Sequence, residues 1–454
     1  MATYSPLAIA IVSLATASFE RDGFGIPIFI TPHRATKDRV LIVTQDSYAT
    51  ELPLSSHAYA AANTAFEQPN GLPQLYIGRV EADLELTLDT PPAEFDSYTI
   101  TLEVNDGDKV EVTYVAGATP TEDTVLAGIE TAINAATEVV GHITTSITGT
   151  GAAAKLTIST ILPTDYFLVS NVSNLVETYI ATETAAEAYT AISQEDDSFY
   201  AVTTSDKSYA WLDAMSDVVN GYEKQFWTTV SDVSVLEALA SPATDPIGML
   251  QEGNPLRTVA GYHQDAETEF LELAPLAFNL VYPAGSIIFG NNLTNTSASR
   301  NGDGNLLTPT QKQNLLNRNA FFWDEQGKLI FLNSDVKTLS GERPENIRGK
   351  DNMEVDIVAA VSELLLNQNG KKLPFNNIGI AQVASVLDTV LQTYVQRGFI
   401  ENNYVIKTPD ARLIAGGIKA TQKLDGITFT AQLTGAITMV DKITGTLQLD
   451  EVLQ

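Results

Sequence analysis

The chain has 454 residues, of which 44% are hydrophobic, with no cysteine and a formal net charge of −30. This length suits two or three domains, and the lack of cysteine excludes disulfides and thiolate metal sites. The acidic balance argues against a nucleic-acid partner, and no stretch approaches the run of about 18 apolar residues that would predict membrane insertion.

The first predicted strand runs from Leu7 to Leu14 and is apolar on both alternations. No positive charge precedes it, so it is a poor signal peptide and is interpreted as part of the mature fold. A strand of this kind needs cover on both faces. Either its own fold or a neighbouring subunit can supply that cover, and we treat residues 1–20 as an N-terminal arm.

Strand and helix patterns alternate both before residue 82 and after residue 183. Such alternation predicts a mainly parallel sheet with helices on its faces, an α/β core inside an α+β chain. The predicted elements are strands at 39–44, 74–79, 198–203, 225–230, 258–262, 320–323 and 328–332, and helices at 55–67, near 185, and at 207–221, 268–282 and 308–317, with a polar loop at 291–305. The core is therefore assigned to residues 21–82 plus 183–340.

Residues 83–182 interrupt this alternation and predict an inserted, β-rich α+β domain. Two alternating runs flank a hairpin turn at 105–108, a helix follows at 123–136, and two further strands lie at 143–147 and 155–158. Between Glu81 and Asp197 there are 21 acidic and two basic residues, a net charge of −19. This charge costs least where copies of the chain are far apart, although acidic surfaces also simply keep domains soluble.

Residues 341–454 predict a C-terminal module of two helices followed by a hairpin. Asp351 is the expected N-cap of the first helix, which ends at 367–370, and the second helix runs from Asn377 to Gly398. The period then changes to two. The alternating apolar positions are Ile427, Phe429 and Leu433 in one run and Ile443, Leu447 and Leu449 in the next. An exposed edge of such a hairpin invites pairing with another chain.

Several short motifs, taken in order, resemble contractile phage tail sheath proteins, in particular the group long catalogued as a phage domain of unknown function. The motifs are Phe19–Gly25, Arg257–His263, Tyr282–Gly290, Arg348–Asp351, Leu364–Asn367, Asn377–Gln382 and Gly435–Ile437. The resemblance covers most of the chain except roughly residues 82–180.

This resemblance implies a virion structural protein, assembled in the cytoplasm of a host bacterium, that forms stacked hexameric rings in a helical tube around the tail tube. Its contraction would drive that tube through the host envelope. It also implies partners in the tube protein, baseplate and tail terminator, and no catalytic residue, cofactor or metal. The C-terminal domain would lie innermost and the inserted domain outermost.

The resemblance further implies that terminal strands are exchanged between subunits. The residues expected to take part are Leu7, Ile9, Ile11, Val12, Ile427, Phe429, Leu433, Ile443, Leu447 and Leu449. The basic residues expected to face the tube are Arg348, Lys350, Lys371, Lys372 and Arg397. Ordinary surface charge is the alternative interpretation of this basic set.

Two rival functions remain open at this stage. An α/β enzyme would place its active site at the strand ends, where residues 43–46 could line a crevice. A baseplate or tail-terminator protein would form closed rings rather than filaments.

Overall fold

A computed structural model describes residues 24–162, 164–368, 370 and 372–438. The helices are α1 Tyr48–Glu51, α2 His57–Phe66, α3 Glu122–Ala135, α4 Ala185–Glu195, α5 Tyr209–Asn220, α6 Pro246–Glu252, α7 Leu273–Leu280, α8 Pro309–Asn317, α9 Pro344–Asn367, α10 Asn377–Gln396 and α11 Gly416–Ala420. The strands are β1 Pro27–Pro32, β2 Val40–Val43, β3 Leu75–Val80, β4 Ala82–Leu88, β5 Ser97–Val104, β6 Val110–Val115, β7 Ile143–Thr148, β8 Lys155–Thr160, β9 Phe167–Ser173, β10 Leu175–Ala181, β11 Ala201–Thr204, β12 Gln225–Val230, β13 Thr258–Tyr262, β14 Trp323–Gln326, β15 Leu329–Leu332, β16 Val405–Lys407 and β17 Thr428–Thr430.

The core is a six-stranded, mainly parallel sheet, which confirms the predicted fold class. Its order is β13-β12-β11-β1-β3-β2, and all neighbours run parallel except β2, which is antiparallel to β3. In the central strand β1, Ile28 lies beside Val202 on one side and Tyr76 on the other. Strands that are apolar on both faces fit this place, because helices cover both sides of a parallel sheet. Strand β2, predicted at 39–44, lies at the edge of the sheet, where Ile42 is half exposed.

Separate hydrophobic clusters fill the two faces of this sheet. On one face α2 and α7 pack against β1, where small residues such as Ala61 and Ala65 allow close approach. On the other face α4 and α5 pack through residues such as Ile192 and Leu212. Helix α2 begins with the kind of residue that favours a helix N-cap, since the Ser56 side chain accepts a hydrogen bond from the Tyr59 amide.

Several element boundaries differ from the predictions. The central strand β1 was not predicted, because Pro27 and Pro32 bracket it and proline lowers a strand assignment. Helix α7 is shorter than predicted, since Phe270 has a φ of 50°, which an α-helix does not accommodate. Helix α9 begins at Pro344, a residue favoured at the first helical position, so Asp351 lies inside the helix and is not its cap.

The inserted segment contains two antiparallel sheets and the helix α3. The sheet orders are β10-β4-β8-β7 and β6-β5-β9. Twenty buried hydrophobic residues between Leu84 and Leu175 form a cluster of their own. The two ends of the segment meet, since Ala82 of β4 is paired with Ala181 of β10. Strands β4, β9 and β10 were not predicted, and the exact domain boundaries stay a prediction.

Arginines hold the inserted segment against the core. Arg34 is buried just after β1, donates through Nε to the Ala82 carbonyl at 2.9 Å and pairs with Glu81 at 2.5 Å. Its guanidinium also lies 4.2 Å from the ring centre of Phe167. Arg39 pairs with Glu183 at 2.6 Å, at the second connection between the core and the inserted segment. Both connections to the core are therefore fixed by charged hydrogen bonds.

Candidate assembly surfaces

The N-terminal half of α9 is joined to the core by a buried ion pair. Asp351, fully buried, accepts from Arg257 through Nη1 at 2.6 Å and Nη2 at 2.9 Å, and from the Tyr200 hydroxyl at 2.9 Å. Burial beside this carboxylate raises the pKa of Tyr200 well above its usual range. Asp351 and Arg257 belong to two of the motifs that carry the sheath resemblance, so those motifs build an internal joint.

Arg348 belongs to the same joint and is only 2% exposed. Its guanidinium donates to the carbonyl oxygens of Phe24, Leu280 and Tyr282, at 2.8 to 3.3 Å. The expectation that Arg348 faces a tail tube therefore needs correction, because its charge is used inside the chain. The carbonyl partners of Arg348 are distant in sequence. The residues around Arg348 therefore do not indicate whether its side chain meets solvent or buried polar groups.

Of the remaining basic candidates, the three that the structure describes do not form one patch. Lys350 is exposed and pairs with Glu354 at 3.0 Å, and Lys372 is exposed beyond the far end of α9. At 1.5 Å per residue, Lys350 lies roughly 26 Å along the helix from Asn367. Arg397 is partly buried, donates to Asn352 and stacks 4.8 Å from the Tyr394 ring. Lys371 lies outside the described residues.

Helices α9 and α10 form an antiparallel pair with a small core. Met353, early in α9, packs with Leu391 and Tyr394, late in α10, and Tyr394 donates to Asp356 at 2.7 Å. Six residues of this cluster are buried. In contrast, ten large hydrophobic residues of the module are exposed: Val358, Leu365, Leu366, Ile378, Val405, Leu413, Ile418, Phe429, Leu433 and Ile437. Leu413 and Ile437 are 85% and 86% exposed. This number of exposed apolar side chains makes the module a candidate interface.

The module ends in a two-stranded antiparallel sheet in which Ile406 of β16 faces Phe429 of β17. A single isolated bridge joins Ile400 to Leu433. Within the described ranges no third strand pairs with either β16 or β17. Two strands alone are marginal in water, so this sheet gains most from an added strand. Ile427 packs on the small core, whereas Phe429 and Leu433 face outwards.

The other predicted exchange positions lie outside the described residues: Leu7, Ile9, Ile11, Val12, Ile443, Leu447 and Leu449. Strand exchange and tube contact therefore stay predictions.

The enzyme alternative loses its proposed crevice. Val43 ends the antiparallel strand β2 opposite Leu75, the first residue of β3, so residues 43–46 lie at the amino edge of the parallel strands. Ligand crevices in such sheets lie outside the carboxyl ends. At the carboxyl edge, Lys207 pairs with Glu272 at 2.5 Å and Thr229 donates to the same carboxylate. Both members of this pair are buried, so they offer no accessible acid or base.

The described residues contain no candidate metal cluster and one helix of membrane-spanning length. In residues 24–438, apart from the undescribed positions 163, 369 and 371, no three His, Asp or Glu side chains are placed to hold a metal ion. Within the same ranges α10 is long and apolar enough to cross a membrane. It packs against α9 on one side, and one helix of this length and composition is weak evidence for a membrane span.

No family model and no curated protein sequence matches the chain. Among solved structures, it is similar to the crystal structure of the sheath tail protein Lin1278 from Listeria innocua. The two share 10% identity with a TM-score of 0.40, over 86% of this chain and 89% of that chain.

Proposed function

We propose that this chain is the structural subunit of a contractile phage tail sheath. It polymerises as stacked hexameric rings around the tail tube, between a baseplate and a tail terminator, and its contraction drives the tube through the host envelope. The single observation that carries the proposal is the open sheet β16–β17, which stands among exposed apolar residues in the C-terminal module.

An open sheet edge supports assembly because added strands bind through directional main-chain hydrogen bonds. When such head-to-tail contacts do not close into a ring, they generate a helical polymer. The apolar N-terminal arm, Leu7 to Leu14, is the segment with the right composition to supply the added strand from a neighbouring subunit.

The charge distribution supports the same arrangement. Residues 342–454 carry 13 acidic and 11 basic residues, a net charge of −2, whereas the segment from Glu81 to Asp197 carries −19. Subunits that pack through the nearly neutral module and keep the acidic segment outside separate their like charges by more than a Debye length of about 8–10 Å.

The joint at Asp351 supports contraction by movement of whole subunits. Because α9 is fixed to the core by Arg257, Tyr200 and Arg348, the C-terminal module and the core move together. Contraction then consists of new contacts between rigid subunits, from a metastable extended packing to a more stable one. The energy is stored at assembly, so the step needs no nucleotide.

Removal of the arm tests the proposal. A chain lacking residues 1–18 keeps a cooperative melt of its α/β core but forms no tubes by electron microscopy. Ile9→Pro deletes a ladder donor and has the same effect, whereas the matched control Thr3→Pro, which lies before the predicted strand, still forms tubes. Tubes formed by the truncated chain would show that the arm is not donated. Failure to fold would place the arm in its own subunit's core.

A further inference from the structure

A cavity of about 690 Å³ lies between the core and the C-terminal module. Its walls come from residues between 278 and 292, from the start of α9 between 343 and 346, from 397–399 after α10 and from 433–436. Binding sites for drug-sized ligands measure about 300–1,000 Å³. The cavity is therefore large enough to hold several side chains.

Apolar side chains form much of the cavity wall. The wall includes Phe278, Ile287, Phe399 and Leu433, and Leu433 is 47% exposed. Phe399 is held firmly in place, because a Cβ atom added at Gly349 would lie only 2.4 Å from its ring. Apolar surface in a concave wall is stabilised when another apolar side chain removes it from water.

Two arginines and one acid also line the cavity: Arg343, Arg397 and Glu345. Arg343 is 33% exposed, and its nearest carboxylate, Asp335 at 3.2 Å, also pairs with Lys337 at 2.7 Å. Glu345 is buried, and burial raises its pKa. The wall therefore favours an apolar occupant that also carries a carboxylate.

The N-terminal segment joins the core beside this cavity. Nη2 of Arg348 donates to the carbonyl oxygens of Phe24 and Tyr282, at 3.1 and 2.8 Å, so these two groups are neighbours. Tyr282 lines the cavity. Residues 19–23, which precede Phe24 and lie outside the described ranges, read Phe-Glu-Arg-Asp-Gly. Five extended residues span up to about 16–18 Å, which is enough to bring the first of them into the cavity.

The chain also leaves the described ranges near the opposite wall, after Thr438. Asn291 donates to the Thr438 carbonyl at 2.8 Å, and Ile437 is 86% exposed. Neither Ile437 nor Thr438 lines the cavity, although Ala436 does. The chain here leads away from the cavity, which favours the N-terminal segment as the occupant.

We infer that the cavity binds the segment Phe19–Asp22 of the same chain, with the Phe19 ring among the apolar wall residues. Phe19 is the only aromatic residue between Tyr4 and Phe24. The acids that follow it in the segment supply the carboxylate that faces Arg343.

The bound segment joins the core to the C-terminal module a second time, in addition to the joint at Asp351. It also places the start of the arm Leu7–Leu14 near Leu433, which is bridged to Ile400 beside the β16–β17 sheet. This use of the arm rests on the proposed function, whereas the docking of Phe19–Asp22 does not.

Crosslinking tests the docking in the full chain. The native chain contains no cysteine, so the introduced pair Glu20→Cys and Ser286→Cys reports this contact alone. Ser286 is an exposed wall residue. A short bismaleimide should join the two thiols within one chain, at a rate that does not depend on protein concentration.

Removing the aromatic ring tests the role of Phe19. Phe19→Ser should slow the crosslinking roughly tenfold or more, because burial of a phenylalanine ring is worth at least that factor. Tyr4→Ser is the matched control, since it removes the other aromatic residue that precedes Phe24, and it should leave the rate unchanged.

A second variant fills the cavity from its wall. A Cβ atom at Gly435 meets no atom within 4 Å, so Gly435→Trp places a large side chain in open space without a clash. It should displace the segment and slow the crosslinking. Gly417→Trp, on α11, is equally open but does not line the cavity, and it should have no effect.

Three results would overturn the inference. Crosslinked dimers would show that the segment comes from another copy of the chain. A crosslink from Asp441→Cys to Ser286→Cys, in place of the one from Glu20→Cys, would show that the C-terminal segment fills the cavity. No crosslink from Glu20→Cys, or an unchanged rate in both Phe19→Ser and Gly435→Trp, would mean that the cavity holds only solvent. Tube formation is scored separately by electron microscopy, so a failure of the docking and a failure of the proposed function are seen independently.

Discussion

Substitution of Asp351 by alanine should break the joint between α9 and the core. In the native chain this buried carboxylate accepts two hydrogen bonds from Arg257 and one from Tyr200. Removing it leaves a guanidinium that is 11% exposed without its carboxylate, and a buried hydroxyl without this acceptor. The loss of one partner from a buried ion pair costs about 3–5 kcal/mol.

Lys350→Ala provides the comparison one residue earlier in the same helix. Lys350 makes an exposed pair with Glu354 at 3.0 Å, one turn away. Pairs of this kind contribute about 0.3–0.5 kcal/mol. The two neighbouring substitutions should therefore differ roughly tenfold in their effect on the free energy of unfolding.

Urea unfolding followed by tryptophan fluorescence measures this difference, because Trp211, Trp227 and Trp323 all pack in the core clusters. The double variant Arg257→Leu, Asp351→Leu should recover part of the loss, since it leaves no unpaired buried charge. An Asp351→Ala cost below about 1 kcal/mol, or equal to that of Lys350→Ala, would refute the importance of the joint.

Three further predictions concern pH, the inserted segment and the tube contact. Burial lowers the pKa of His263 to about 4, whereas an unfolded histidine titrates near 6.5. The unfolded state therefore binds the proton first as the pH falls. The free energy of unfolding should decrease by up to about 1.4 kcal/mol per pH unit as the pH falls from about 6.5 to about 4, with a smaller slope in His263→Asn. Replacing residues 83–180 by a short Gly-Ser linker should leave a cooperatively folding, polymerising chain, because the ends are paired; folding without assembly would contradict this. Reversing the charges of Lys350 and Lys372 should weaken co-assembly with tube protein in co-sedimentation while self-assembly persists, and equal loss of both would place these residues elsewhere.

Local patterns were sufficient to predict most of the core. The strand at 225–230 and the one at 258–262 were found at their observed positions, because β-branched and aromatic runs with clear boundaries fill them. The helix from Asn377 was also found, since Asn376 caps it and Gly398 takes a positive φ just past its end.

What was missed depends on contacts between distant residues. Nothing near Arg348 or Asp351 indicates that their partners lie at Phe24, Tyr200 and Arg257. Asp351 was therefore interpreted as a helix cap and Arg348 as a surface charge or a tube contact. Strand β10 was missed because Glu177 interrupts its apolar pattern. Its pairing with β4, which is distant in sequence, defines the strand.

Cryo-electron microscopy of the purified full-length protein tests the central claim most directly. The account predicts tubes of stacked hexameric rings, in which an added strand from a neighbouring subunit continues the β16–β17 sheet and the C-terminal module lines the central channel. Monomers, closed single rings, or tubes in which β16 and β17 remain a two-stranded sheet would contradict it.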